Sequence, residues 1–173
     1  GVLDVLDHSS PTPIFGAKLG LDLTTRFPGE PARSRRRLEP PATGPEGLLA
    51  ALRPRLEGLT AARYYPPPGP GEEYGSPRHR VLILAVEKAP DRGSRFYAER
   101  LLDAAELSAF SIIVLYDHGT DLADDSRLLW RLLSNVDPER DLYLGERRIL
   151  LDACRKGPAD RHFREWPEEL SYE

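Results

Sequence analysis

The sequence predicts an α/β fold: a small β-α-β-α-β module with a parallel core, additional N-terminal strands and a Pro-rich connector. Three observations carry that expectation. Val81-Leu82-Ile83-Leu84-Ala85-Val86 and Ile112-Ile113-Val114-Leu115-Tyr116 are apolar without alternation, the pattern of strands covered on both faces. Each is followed by a stretch with apolar residues at helical spacing. Eleven of the 17 prolines fall between Pro28 and Pro77, ahead of this pattern.

Residues 1–30 carry no βα pattern. Val2, Leu3, Val5 and Leu6 suit one short strand, and Lys18 to Thr25 another. Two strands with nothing to cover them are marginal alone, so they must pack on the later module or on something outside this sequence. Residues 31–79 read as the connector. They hold Arg33, Arg35, Arg36 and Arg37, and the run Pro66-Pro67-Pro68-Gly69-Pro70-Gly71. Proline favours extended backbone and donates no ladder hydrogen bond. The connector has room for one short helix, Glu46 to Leu52, with Leu48, Leu49 and Leu52 on one side. Pro54 works against it, while Leu56 and Leu59 continue the spacing.

Residues 80–173 read as the α/β module. After the first strand, Ala89 to Ser94 form a turn. Phe96, Tyr97, Leu101, Leu102 and Ala105 then mark a helix whose Arg95, Glu99, Arg100 and Asp103 face outward. The second strand ends in Asp117, His118 and Gly119. Asp124 or Asp125 caps a second helix with Leu128, Leu129, Leu132, Leu133 and Val136 on its apolar side. Asp137-Pro138 stops that helix. A third strand is expected at Ile149-Leu150-Leu151, with right-handed crossovers between parallel strands. Fully burying one Leu or Ile is worth roughly 1.5–3 kcal/mol, so a dozen such residues can support an independent core.

A short echo links the two ends. Leu21-Asp22-Leu23-Thr24-Thr25-Arg26 precedes Pro28 and Glu30; Leu151-Asp152-Ala153-Cys154-Arg155 precedes Pro167 and Glu168. The echo marks 1–30 as the tail of a first module and 80–173 as a nearly whole second one. The chain opens at Gly1 and has no methionine, and it reads as a piece of a longer polypeptide.

Composition narrows the function. The net charge is −4, which argues against a nucleic-acid partner. No apolar run approaches the length of a transmembrane helix. Cys154 is the only cysteine, which excludes a disulfide scaffold and suits a reducing, cytoplasmic setting.

Three stretches resemble the C-terminal region of UbiD-type aromatic acid decarboxylases, the larger members linked to menaquinone biosynthesis most of all. Leu3-Asp4-Val5-Leu6-Asp7-His8-Ser9-Ser10 with Phe15-Gly16-Ala17-Lys18-Leu19-Gly20-Leu21-Asp22 is similar to the family's LDxLDHSS and GxKxGID segments. Leu129-Trp130-Arg131-Leu132 with Asn135-Val136-Asp137-Pro138-Glu139-Arg140-Asp141 is similar to its LWxxxxNxDPxRD. Leu151-Asp152, Arg155-Lys156 and Phe163-Arg164-Glu165-Trp166-Pro167 are similar to the end of the larger members. Leu23 and Cys154 depart from the family's usual Ala and Thr. The resemblance implies a carboxy-lyase whose prenylated FMN, divalent metal and potassium, with the catalytic Arg and Glu, belong to an upstream flavin-binding domain. It implies that this chain serves homo-oligomer contacts and active-site closure and is inactive alone. The alternative is a stand-alone binding or assembly protein that reuses the fold.

Residue by residue, the chemistry is sparse. Lys18, between Gly16 and Gly20, suits a cofactor phosphate or a substrate carboxylate, and equally an exposed loop. Asp7 and His8 adjoin Ser9 and Ser10, but neighbours in sequence cannot supply triad geometry. Asp117, His118, Asp121, Asp124 and Asp125 do not match a calcium loop and read as a solvated loop with a helix cap. Trp130, Trp166 and the arginine run read as packing and linker. No catalytic or metal-ligating residue is expected in this chain. Asp137, Arg140 and Asp141 read as an Arg–carboxylate fork that fixes a turn. Arg140→Ala is accordingly expected to lower the melting temperature more than Arg36→Ala; equal midpoints would contradict the fork.

Overall fold

The structure, a computed structural model, describes residues 2–7, 14–22, 39–69 and 81–163. Strands β1 (Val2–Asp7) and β2 (Ile14–Asp22) pair antiparallel as a separate hairpin. Helix α1 (Pro45–Leu52) and strand β3 (Leu59–Tyr65) follow. Next come β4 (Val81–Val86), α2 (Ser94–Asp103), β5 (Ile112–Asp117) and α3 (Asp125–Asn135). The short α4 (Pro138–Asp141), β6 (Leu142–Leu144) and β7 (Ile149–Asp152) complete the order.

The expected α/β class and parallel core hold. β4, β5 and β7 are parallel and adjacent, with Leu84 beside Leu115 and Val114 beside Leu151. Strand alternation sends Leu82, Leu84, Val86, Ile113, Leu115 and Leu150 to one face, where Tyr97, Ala98 and Leu101 of α2 and Leu48, Leu49 and Leu52 of α1 cover them. Ile83, Ala85, Val114, Tyr116 and Leu151 go to the other, where Leu122 and Leu128 cover them. Both faces are therefore dry, and that is why these strands show no polar alternation.

Several expectations are corrected. The sheet has five strands, because antiparallel β3 and β6 flank the parallel trio. β3 lies within the stretch read as connector, as does α1, and both contribute to the core. The short helix expected at Glu46 to Leu52 is nonetheless present as α1; it stops at Leu52, and Arg53 turns its guanidinium to the Leu59 carbonyl. The passage from β5 to β7 is no simple crossover: it runs through α3, α4 and antiparallel β6. On α3, Leu128 is buried and Leu132 and Val136 are partly buried, but Leu129 and Leu133 are 55% and 70% exposed. The buried stripe runs instead through Arg131, whose Nη1 donates to Thr120 Oγ1 at 2.6 Å.

Gly58 lies in the turn between α1 and β3, beside the end of β4. Its φ is +90°, its carbonyl accepts from Glu87 N, and a Cβ there would lie 2.4 Å from the Glu87 oxygen. Of the echoing segments, Leu21-Asp22 and Leu151-Asp152 each end a strand, one in an antiparallel hairpin and the other in the parallel core. The helix α4 lies beside β2.

Leu84→Ala is expected to cost about 2–5 kcal/mol in urea unfolding, as a cavity at a fully buried site. Leu133→Ala should fall within about 0.5 kcal/mol of wild type, the range of surface substitutions. Comparable losses at the two sites would place α3 against an unrecognised apolar neighbour.

Candidate functional site

The parallel strands all end at one edge, and buried polar groups collect there. β7 ends in Asp152, and the chain turns through Ala153, Cys154, Arg155 and Lys156. Lys156 curls back into the protein with its side chain 1% exposed. Its Nζ donates to Asp152 Oδ2 at 2.7 Å, to the Asp152 carbonyl at 3.1 Å and to the Cys154 carbonyl at 2.7 Å. Asp141 Oδ1 stands 3.4 Å away. Both aspartates are fully buried. A buried ion needs a partner and satisfied lone pairs. The remaining acceptors are filled: Cys154 N donates to Asp152 Oδ1, and Asp137 N donates to Asp141 Oδ2.

The fork expected at Arg140 is present. Nε donates to Asp141 Oδ1 at 2.7 Å and Nη2 to Oδ2 at 2.6 Å. Asp137 caps α4 by accepting from Glu139 N, with Pro138 in the first turn, where a missing N–H costs nothing. The fork thus anchors α4 to Lys156 and introduces β6.

A second group adjoins the first. Lys88, just past β4, donates to Asp160 Oδ2 at 2.9 Å, to Ser94 Oγ at 3.0 Å and to the Arg155 carbonyl at 2.7 Å. Asp160 Oδ1 accepts from Ser94 N at 2.5 Å, capping α2 from a distant loop, and Oδ2 accepts from Gly157 N. Gly93 permits this approach: a Cβ there would lie 2.5 Å from the Ala159 oxygen and 2.8 Å from Asp160 Oδ1. Asp117, ending β5, accepts from Arg155 N at 2.9 Å.

Charge follows from these contacts. Burial works to raise Asp160, but the Ser94 amide and Lys88 outweigh it and hold its pKa below the ordinary carboxyl value. Burial pulls Lys88 down, yet the surrounding negative charge, Asp160 and Asp152 included, leaves it above the ordinary lysine value. Burial dominates at Asp117 and raises it. Burial, reinforced by Asp152 and Asp117, pushes the Cys154 thiol far up, so it is neutral and unreactive at physiological pH.

Other residues singled out from sequence are scattered. Lys18 lies on β2 and Asp7 ends β1, while His8, Ser9 and Ser10 lie outside the described residues. Asp121 accepts from Ala123 N, Asp124 caps α3 by accepting from Arg127 N, and Asp125 pairs with Arg63 at 2.5 Å. Each acidic residue of that loop is therefore structural. Among the described residues no group of three or more His, Cys, Asp or Glu is placed to hold a metal ion. Sequence reasoning missed the roles of Lys88, Asp160 and Lys156, for each looks like a solvated surface charge. A Leu-Asp at a strand end followed four residues later by Lys was the available signal.

A cleft of about 570 Å³ opens beside this cluster, lined by Gly93, Arg95, Arg140, Tyr143, Lys156 and Arg161 among others. Clefts at the carboxyl ends of parallel strands are the usual ligand position in open α/β sheets.

Residues 74–159 match the UbiD C-terminal domain family model, described as the 3-octaprenyl-4-hydroxybenzoate carboxy-lyase C-terminal domain. The fold is similar to that of UbiD-class enzymes. The closed form of vanillic acid decarboxylase from Sedimentibacter hydroxybenzoicus superposes with a TM-score of 0.55 at 16% identity, over 75% of this chain and 29% of that one. An evolved dimeric form of the UbiD-class enzyme HmfF from Pelotomaculum thermopropionicum, in complex with prFMN, gives 0.53 at 19% identity, over 72% and 26%. In sequence the chain is similar to an uncharacterized protein of Helicobacter pylori, 32% identical over 172 residues, 99% of this chain and 25% of that protein. The chain thus spans about a quarter of the length of that curated relative.

The depressed Asp160 pKa has a definite sign. It stabilises the fold above the ordinary carboxyl value of 3.8, and that contribution is lost as pH falls through the lower folded value. Asp160→Asn should therefore be less stable than wild type at neutral pH, with the gap narrowing below pH 3.8. A gap in chemical-denaturation midpoints that is constant from neutral to acid pH would remove Asp160 as the linked group.

Proposed function

We propose that this chain is the C-terminal domain of a UbiD-type decarboxylase, a carboxy-lyase acting on an aromatic acid, with a place in quinone biosynthesis. The match of residues 74–159 to the carboxy-lyase C-terminal domain carries this reading. The superposition on UbiD-class enzymes, over 26% and 29% of their chains, supports it. In this reading residues 1–30 are the tail of a first C-terminal-type module, 31–79 lead into the second and lend it α1 and β3, and 80–173 supply the rest of that module.

The described residues do not fit a divalent metal, since no set of ligands converges. The buried carboxylates are consumed by Lys156, Lys88 and Arg140. No step of a decarboxylation is therefore derived from these side chains. In the proposed arrangement prenylated FMN and its metal sit in an upstream flavin-binding domain of the same enzyme. This chain then supplies a rigid body for oligomer contacts and for closure over that site. The exposed Leu129, Trp130 and Leu133 on α3 are the apolar surface such contacts would use. Lys18 on β2 is the residue proposed to meet an anion of the upstream domain.

Measuring CO₂ release from an aromatic acid separates the readings. The full polypeptide, loaded with prenylated FMN, is expected to turn over, and the 173-residue chain supplied with the same cofactor is not. Turnover by the short chain, or a native reading frame with no flavin-binding domain upstream, would overturn the proposal.

A further inference from the structure

The cleft beside the ion cluster has a built rim that neither packing nor the proposed function requires. We infer that it is a binding site for a small oxyanion, a carboxylate or phosphate group on a compact ligand, with Arg161 as its principal contact.

The first support is the backbone at Arg161. Its φ of +59° puts a long side chain in the left-handed region, among the described residues the only non-glycine there. Such a conformation costs about 1 kcal/mol or more and persists where surrounding structure imposes it. Here the surroundings do so. Arg161 N donates to the Pro158 carbonyl, and His162 N donates to the Gly157 carbonyl. Asp160, one residue earlier, is locked to Lys88, Ser94 and Gly157. The turn is thus tied at both ends, and it fixes an arginine at the edge of a cavity.

The second support is the distribution of charge. In the floor, Lys156 is matched by Asp152 and Asp141, Lys88 by Asp160, and Arg140 by the fork to Asp141. Lys156 spends its donors on Asp152 and Cys154. Arg161, by contrast, has no ion pair or side-chain hydrogen bond among the described residues. Arg95 shares the rim; its contact with Glu99 is 3.6 Å between two exposed side chains, the weakly coupled kind. Glu139 is the opposing rim charge and limits the site to a compact anion. An arginine offers planar, paired donors that match a carboxylate or phosphate edge.

The third support is shape. Three stretches of chain, 93–95, 139–143 and 156–161, contribute walls, and the volume, about 570 Å³, suits a small molecule. The half-buried Tyr143 ring forms an apolar side, with the Arg95 guanidinium 5.8 Å from its centroid. A planar ligand body can lie against that ring while its anionic edge meets Arg161. This inference stands independently of the decarboxylase reading.

Titration of inorganic phosphate and of benzoate into the 173-residue chain, followed by backbone amide NMR shifts, tests it. Saturable shifts at residues 93–95 and 157–162 are expected with both anions. Arg161→Gly is the decisive variant, because glycine accepts a positive φ and the turn should keep or gain thermal stability. It should weaken binding about tenfold, a loss of about 1.4 kcal/mol. Arg147→Ala, an exposed arginine outside the cleft, should bind as wild type. Tyr143→Leu distinguishes the two ligand sources: it should weaken benzoate and spare phosphate if the ring carries the ligand body, and leave both unchanged if a bare phosphate group is recognised. Absence of saturation with either anion, or equal affinities for Arg161→Gly and wild type, would overturn the inference.

Discussion

A lysine ammonium lying between two aspartates, with almost no contact with water, is the constraint on which the carboxyl edge of this sheet depends. Lys156 cannot be left there alone: a buried ion without its partner costs about 3–5 kcal/mol. The two carboxylates come from separate elements, Asp152 from the last parallel strand and Asp141 from α4. Satisfying one ammonium therefore fixes the position of β7 relative to the segment that introduces β6. Arg140 adds a second cation to Asp141, so the carboxylate is held from two directions. Apolar packing on the sheet faces supplies most of the driving force. The ion cluster determines which strand end meets which loop.

The second pair, Lys88 and Asp160, extends the same logic across the sheet. It joins the exit of β4, the start of α2 and the loop after β7. Asp160 also replaces the cap that α2 lacks locally, for Gly93 has no side chain to offer. Gly93 is needed for another reason, the close approach of Ala159 and Asp160. The absent local cap and the distant carboxylate are two sides of one arrangement. The cleft and its arginine rim exist because these pairs make the loop after β7 rigid.

The parallel core was legible in sequence because burial on both faces removes polar alternation, leaving the runs 81–86 and 112–116 unmistakable. The edge strands were not. β3 reads Leu-Thr-Ala-Ala-Arg-Tyr-Tyr between proline clusters, and only one of its faces meets the core fully. β6 is three residues long. The expected face of α3 was displaced because periodicity counts leucines, whereas the fold buries Arg131 against Thr120 and leaves Leu129 and Leu133 outside. The Arg140–Asp141 fork was visible because its partners are adjacent. Lys88 and Asp160 were not, since nothing local distinguishes a lysine that will be buried from one that will be solvated.

The Lys88–Asp160 bond spans 72 positions of chain. Contacts of such separation form late, after the entropy of closing the intervening loop has been overcome. A nascent polypeptide emerging from the ribosome through β5 holds Lys88 and the start of α2 with no acceptor for either. Only when the 157–160 turn has cleared the exit tunnel can the carboxyl edge close. Until then the half-finished sheet exposes apolar surface and unpaired strand edges.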